Sequence, residues 1–134
     1  KIIEQDELEV GLRAVLNYGH TFGHIVETLC GYGYWLHGEA VSIGMMAAGS
    51  LALKRGLLDI KDFERQNKLL LKSGLPIKWP KINIEDAINA LKSDKKVKEG
   101  KIRFVLPTEI GKVKIINDFS IQEIKEFLLR LPKN

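Results

Sequence analysis

Residues 11–30, GLRAVLNYGHTFGHIVETLC, are the most informative segment for the fold. Its apolar residues recur at helical spacing, which predicts a helix from Leu12 to Cys30, and a glycine follows directly as the usual stop. Gly19 and Gly23 lie inside this helix, where each costs about 1 kcal/mol relative to alanine. Glycines in such positions are typical of a point where another backbone or a ligand comes close.

Polar side chains of this helix share one face. At roughly 100° per residue, the members of this face fall within a wedge of about 80°. They are Arg13, Asn17, His20, His24 and Glu27. A solvated helix face usually carries lysine and glutamate, whereas this one offers a guanidinium, an amide and two imidazoles. The pattern favours a binding site over a half-exposed surface with two incidental histidines.

The three histidines of the chain all lie between positions 20 and 37. His37 stands at the predicted start of the next helix, so its ring is expected to point out of the helix end. Converging imidazoles are typical of a transition-metal site, most often zinc. His20 and His24 could reach one metal together, and the third ligand is open between Glu27, Glu39 and a carboxylate outside the chain. The segment His-Thr-Phe-Gly-His lacks the glutamate that follows the first histidine of zinc proteases, which argues against a protease.

The remainder of the sequence predicts a mainly α, multi-helix fold with one small β-hairpin. Gly38–Arg55 is apolar or small on nearly every side, which is typical of a buried helix. Ser93–Gly100 is expected to be a polar, lysine-rich loop, and Ser120 with Glu123 forms a capping box for the last helix. The other predicted elements are an amphipathic helix at 59–73, a helix at 83–92, strands at 101–106 and 112–116 joined through Pro107 and Gly111, and a final helix to about Leu131.

Composition restricts the class of protein. The chain has 134 residues, of which 45% are hydrophobic and 28% charged, enough for one globular domain and unlike a disordered or fibrous chain. The single Cys30 excludes a disulfide framework and a multi-cysteine zinc finger, and it favours a reducing, cytoplasmic setting. No apolar run is long enough to span a membrane, and no signal-peptide pattern is present. The net charge of +4 suits an anionic small molecule as well as nucleic acid.

Several spaced motifs together resemble 3-dehydroquinate synthase. They are the Asp6-Glu7 pair, GLR at 11–13, LNYGHTFGH at 16–24 with Glu27, GYG at 31–33, WLHGEAV at 35–41 with Gly44 and Met45, DKK at 94–96, KIRFVLP at 101–107, and Ile110-Gly111. Their order implies that residues 1–134 form the C-terminal, helical, metal- and substrate-binding domain. The resemblance also implies the fold shared by dehydroquinate synthases and metal-dependent polyol dehydrogenases. The start at Lys1 is expected to mark a fragment that lacks the family's N-terminal NAD-binding domain.

By this resemblance the protein is a lyase of the shikimate pathway, which supplies chorismate and the aromatic amino acids. The family converts 3-deoxy-D-arabino-heptulosonate 7-phosphate, a phosphorylated sugar acid, to 3-dehydroquinate and phosphate. A ring hydroxyl is transiently oxidised by NAD+, phosphate is eliminated, the ketone is reduced, and an aldol closure completes the ring. A zinc or cobalt ion is expected as the second cofactor, and the whole protein is expected to be a homodimer.

The resemblance also assigns residues to the metal and to the substrate. His20 and His37 become metal ligands, with a glutamate of the missing domain as the third, and His24 contacts substrate instead of metal. Arg13 offers a fork for a carboxylate or a phosphate, and Asn17 would bond substrate hydroxyls. In the Asp-Lys-Lys motif, Lys95 or Lys96 is expected to reach the anionic substrate, with Lys96 favoured.

Two departures and two alternatives qualify this interpretation. The family carries a substrate-binding lysine just upstream of this segment. Counting back from Arg13 places that lysine immediately before Lys1, so Lys1 is not expected to have this role. Gly31-Tyr32-Gly33 lacks the strand that a dinucleotide fingerprint requires, so no NAD site is expected here and the isolated chain should be inactive.

Nucleic acid is a poor partner for the lysine run at 92–101, because no aromatic stacking surface accompanies it. The alternatives are another sugar phosphate cyclase or polyol dehydrogenase of the same fold, and a non-catalytic helical remnant that binds metal.

Overall fold

A computed structural model describes residues 19–30, 37–93, 97–98, 101–109 and 112–131. In chain order its elements are α1 (His20–Cys30), α2 (His37–Lys54), α3 (Ile60–Lys72), α4 (Ile84–Ser93), β1 (Val97–Lys98), β2 (Lys101–Glu109), β3 (Lys112–Ser120) and α5 (Ile121–Arg130). The predicted mainly α fold with a small antiparallel β element is confirmed. The first seven or so residues of the helix predicted from Leu12 lie outside the described part of the chain.

Within the described residues, the predicted helix ends are confirmed to within a residue or two. Local capping accounts for three of the helix starts. The Asp59 side chain accepts a hydrogen bond from the backbone N–H of Lys61 at the start of α3. Asn83 Oδ1 accepts from the N–H of Asp86 at 3.1 Å before α4. Ser120 Oγ accepts from the N–H of Glu123 at 3.1 Å before α5. Each bond satisfies an N–H group that the helix itself leaves without a partner.

The sheet is larger than the predicted hairpin. Its strand order is β1-β2-β3, with both neighbouring pairs antiparallel. Residues 97–98, predicted as loop, pair with β2 through Val97 opposite Ile102. β2 also continues through Pro107, which was predicted as turn, and a register irregularity follows between Pro107 and Glu109. Proline cannot donate to a ladder and is tolerated in strands beside such irregularities, so its presence did not mark the end of the strand.

Aromatic side chains from several elements form the centre of the core. Phe22 of α1 is fully buried and stacks on Phe104 of β2, with ring centroids 5.0 Å apart. Trp79 and Phe127 each lie 5.9 Å from Phe22, measured between ring centroids. Trp79 comes from the connection between α3 and α4, where Pro80 follows it directly, and none of its surface is exposed. The buried face of α1 is thereby held against the sheet and α5.

Helices α1 and α2 cross at very short separation. A Cβ added to Gly44 of α2 would overlap the carbonyl oxygen of Gly19 and lie 2.6 Å from the backbone nitrogen of Gly23. A Cβ on Gly23 would lie 3.0 Å from the carbonyl oxygen of Ala40. The expectation that Gly19 and Gly23 mark a close approach is confirmed, and the approaching group is the backbone of α2. This contact fixes how the start of α2 lies beside α1.

An arginine after α2 ties the C-terminal helix to the rest of the fold. Arg55 Nε and Nη2 donate to the two carboxylate oxygens of Glu123 at 3.0 and 3.2 Å, and Nη1 donates to Asp118 Oδ1 at 2.9 Å. Its guanidinium carbon also lies 4.0 Å from the centre of the Phe119 ring. The hydrogen bonds between Arg55 and Glu123 lower the pKa of the Glu123 carboxyl and raise the pKa of the Arg55 guanidinium.

Within the described residues, no helix is long and apolar enough to cross a membrane.

Candidate metal and substrate site

The polar face of α1 lies opposite its core face, as the helical spacing requires. Phe22, Ile25 and Val26 are buried, whereas His20 and His24 are exposed. The apolar side chains therefore anchor the helix and leave the histidines at the surface, where a ligand or another part of a longer protein can reach them. Arg13 and Asn17 of the same predicted face lie outside the described residues, so their roles stay predictions.

His37 approaches this face from the neighbouring helix. It is the first residue of α2, and its ring centroid lies 6.1 Å from that of His20, with the planes inclined at 49°. The two residues are 17 positions apart in the sequence and are brought together by the α1–α2 crossing. The structure thus places side by side the two histidines to which the resemblance assigns the metal.

Glu27 is the second neighbour of His37. Oε1 of Glu27 lies 2.9 Å from Nδ1 of His37, and the glutamate side chain is 18% exposed against 71% for the histidine. His20 and Glu27 are seven residues apart on α1, which is two turns or about 10 Å along the axis. His37 therefore spans the polar face between them.

The donor set fits a zinc-type ion in part. A metal held about 2.0–2.1 Å from one nitrogen of each imidazole in tetrahedral geometry would place the ring centroids about 5 Å apart. The observed 6.1 Å separation of His20 and His37 comes within about 1 Å of that value, a distance that small side-chain rotations cover. Across the described ranges, no group of three or more His, Cys, Asp or Glu side chains is placed to hold a metal. What the described chain offers is a pair of imidazoles that needs a further ligand.

The remaining predicted residues divide into two groups. His24 lies one turn after His20 on the same exposed face of α1, in a position open to a substrate. Lys95 and Lys96 fall in the short stretch between α4 and β1 that lies outside the described residues, so the choice between them stays a prediction.

One relationship at this site was not foreseen from the sequence. The sequence makes Glu27 a candidate third metal ligand, but it does not predict the contact of Glu27 with His37. The spacing of His20 and Glu27 along α1 did put both on one face, which was the available signal. Which of them would meet His37 depends on the crossing of two helices, and helical periodicity does not specify that.

Comparison with known protein families shows the family to which the chain belongs. Residues 1–97 match the family profile of the 3-dehydroquinate synthase C-terminal domain. The chain belongs to this family. It is 62% identical over 130 residues to 3-dehydroquinate synthase of Prochlorococcus marinus strain MIT 9211, and 55% identical over 131 residues to that of Synechococcus sp. strain CC9605. These matches cover 97% and 98% of the chain but 35% of each relative, so the chain spans about a third of the length of the curated relatives it matches.

Solved structures of related cyclases share the fold. The 2-epi-5-epi-valiolone synthase of Streptomyces hygroscopicus subsp. jinggangensis 5008, with NAD+ and Zn2+ bound, superposes with a TM-score of 0.71 at 33% identity. That match covers 84% of this chain and 31% of the synthase. A 2-deoxy-scyllo-inosose synthase complexed with carbaglucose-6-phosphate, NAD+ and Co2+ gives a TM-score of 0.67 at 26% identity, covering 82% of this chain and 33% of that one. The fold is therefore shared with synthases that carry other names, one of which is complexed with a sugar phosphate analogue, carbaglucose-6-phosphate.

Proposed function

We propose that the protein containing this chain is a 3-dehydroquinate synthase. It would convert 3-deoxy-D-arabino-heptulosonate 7-phosphate to 3-dehydroquinate with release of phosphate, as a lyase of the shikimate pathway. The observation that carries the proposal is the pair His20 and His37, with ring centroids 6.1 Å apart at a helix crossing, in a chain of this family. The high identity to proteins named 3-dehydroquinate synthase supports the same activity.

In this proposal His20 and His37 hold a zinc or cobalt ion together with a carboxylate from elsewhere in the longer protein. Such an ion, when bound, supplies a Lewis acid for the hydroxyl that is oxidised and for the ketone that follows. Two imidazoles and a carboxylate form a donor set that suits either metal. NAD+ would be held by the part of the longer protein that precedes this chain, and residues 1–134 alone are expected to show no turnover.

The substrate would be oriented by the rest of the polar face. His24, one turn beyond His20 and exposed, is placed to donate to or accept from a substrate hydroxyl or phosphate oxygen. Arg13 would clamp the carboxylate or phosphate through a bidentate pair, and Asn17 would hydrogen-bond ring hydroxyls. Lys96, or its neighbour Lys95, would neutralise charge on the same anion. A cytoplasmic location and a homodimer complete the proposal.

A sibling cyclase is the second candidate, because solved cyclases with other sugar phosphate substrates share the fold. The balance favours the dehydroquinate reaction. Identity to curated 3-dehydroquinate synthases reaches 62%, against 33% for the valiolone synthase. Asn17 and His24 also match the residues expected of the dehydroquinate branch.

The test is phosphate release from 3-deoxy-D-arabino-heptulosonate 7-phosphate, with NAD+ and zinc, by the full natural polypeptide that contains this chain. His20→Ala should abolish release and lower the zinc content of the protein. Lys72→Ala, at the exposed end of α3, is the control and should leave both unchanged. A folded, zinc-loaded, NAD+-bound protein that releases no phosphate would exclude the dehydroquinate reaction and favour a sibling cyclase.

A further inference from the structure

We infer that Glu27 is a positioning residue for the metal site: it holds Nδ1–H of His37 and thereby presents Nε2 of the same ring to the metal. This inference rests on the proposed function, since it takes His20 and His37 as the metal-binding pair. The sequence leaves open whether Glu27 coordinates the metal directly, and this inference assigns Glu27 a different role.

The hydrogen bond fixes which nitrogen of His37 carries the proton. A carboxylate can only accept, so the 2.9 Å contact between Nδ1 of His37 and Oε1 of Glu27 requires the proton on Nδ1. In a neutral imidazole the other nitrogen, Nε2, then has the free electron pair that a metal binds. Metal-binding histidines commonly donate their second ring N–H to a carboxylate in this way.

The difference in burial shows which partner guides the other. The Glu27 side chain is 18% exposed and belongs to a helix whose opposite face is packed in the core, so its position is set by α1. The His37 side chain is 71% exposed at the first residue of α2, where packing restricts the ring little. A ring with that much freedom gains most from a fixed hydrogen-bond acceptor, because binding a metal would otherwise require it to be ordered first.

The same geometry argues against Glu27 as a direct ligand. Glu27 contacts His37, and His37 lies near His20. The three side chains are nevertheless not placed to hold one metal ion together, and no other group of three such side chains in the described part of the chain is. One carboxylate oxygen of Glu27, Oε1, is occupied with Nδ1 of His37. The third ligand is therefore left to a carboxylate elsewhere in the longer protein.

The experiment compares Glu27→Gln and Glu27→Leu in the full natural polypeptide. The amide oxygen of glutamine can still accept from Nδ1–H, whereas leucine cannot. We expect Glu27→Leu to weaken zinc binding about 10–100-fold, measured by competition with a chromogenic chelator, and Glu27→Gln to restore most of the affinity. Thr28→Ala, an exposed neighbour on α1, is the matched control and should bind zinc like the wild type.

Two spectroscopic readouts separate positioning from coordination. In the metal-free protein, nitrogen NMR should show His37 protonated on Nδ1 in the wild type and shifted toward the Nε2–H form in Glu27→Leu. The visible spectrum of bound Co2+ should be the same in the wild type and in Glu27→Leu, because the ligand set does not change.

The possible failures point to different conclusions. A wild-type protein that binds no zinc would overturn the proposed metal site and this inference with it. Zinc binding that is equally tight in wild type and Glu27→Leu, with an unchanged His37 tautomer, would overturn the inference alone. A Co2+ spectrum that changes in both variants, with no restoration of affinity by glutamine, would make Glu27 a direct ligand and equally overturn it.

Discussion

Replacing Gly44 with alanine should separate α1 from α2 and destabilise the protein. The added Cβ would overlap the carbonyl oxygen of Gly19 and come within 2.6 Å of the backbone nitrogen of Gly23. Carbon normally stays about 3.5 Å or more from such atoms, so the helices would have to move apart by more than about 1 Å. Neither clashing atom can rotate away, because both are backbone atoms, one in α1 and one in the residue directly before it.

The magnitude follows from two opposing effects. Overpacking of a tight contact costs about 1–3 kcal/mol, and backbone clashes belong at the upper end of that range. Alanine regains about 1 kcal/mol over glycine inside a helix. We therefore expect Gly44→Ala to lower the free energy of unfolding by about 2 kcal/mol, which is a fall in Tm of about 8 °C for a unit of this size.

The assay is denaturant unfolding followed by fluorescence, since the buried Trp79 lies against Phe22 of α1. Two alanine substitutions in the same helix serve as controls. A Cβ on Gly49 would meet movable side chains, at 3.0 Å from Gln66 Nε2, and a Cβ on Gly38 would meet nothing within 4 Å. The loss of stability should therefore decrease from Gly44 to Gly49 to Gly38. A Gly44→Ala protein as stable as the wild type would refute the close crossing.

Three further substitutions test the core, the ion-pair cluster and a helix cap. Phe22→Ala should cost about 3–5 kcal/mol in unfolding free energy, because the fully buried ring stacks on Phe104. Arg55→Met should cost under about 1 kcal/mol at pH 7, since its partner Glu123 is 34% exposed. Folding lowers the pKa of Glu123 below its ordinary 4.5. The stabilisation by the ion pair is therefore fully present above pH 4.5 and is lost as the pH falls through the pKa of Glu123 in the folded protein. Ser120→Ala should cost about 1 kcal/mol by removing the acceptor for the Glu123 N–H.

Denaturant midpoints check each of these expectations. For Arg55→Met the measurement is the stability difference from the wild type at pH 7 and at pH 3, which should shrink on acidification. Arg130→Met, at the exposed end of α5, is its control and should show no such pH dependence. A difference that is equal at both pH values would contradict the ion-pair explanation. A Phe22→Ala protein with the wild-type midpoint would contradict the role of Phe22 in the core. A Ser120→Ala protein with the wild-type midpoint would contradict the role of Ser120 as a helix cap.

Local features of the chain were predictable from sequence because their causes are local. The helix starts after Asp59, Asn83 and Ser120 follow from the side chains of these residues, which accept hydrogen bonds from N–H groups two or three residues further on. The polar face of α1 follows from helical spacing alone. The mainly α fold class follows from the sum of such segments, and the family from motifs spread along the chain.

Other features depended on contacts between distant segments. The strand at 97–98 forms because β2 offers it a partner, although its own sequence is typical of a loop. Trp79 is buried because α1 supplies Phe22 as its neighbour, although it lies between prolines in a connection. The amphipathic α3 keeps none of its residues fully buried, since an apolar stripe does not determine how closely the rest of the fold packs on it.

The candidate site shows the same division. Helical spacing in the sequence puts His20, His24 and Glu27 on one face of a helix, and the internal glycines Gly19 and Gly23 indicate a close approach. That His37 meets this face, near His20 and hydrogen-bonded to Glu27, follows only from the packing of α2 on α1. The reason is physical: helical periodicity fixes directions around one axis, whereas the meeting of two helices depends on which backbones can touch, and here glycines on both helices allow it.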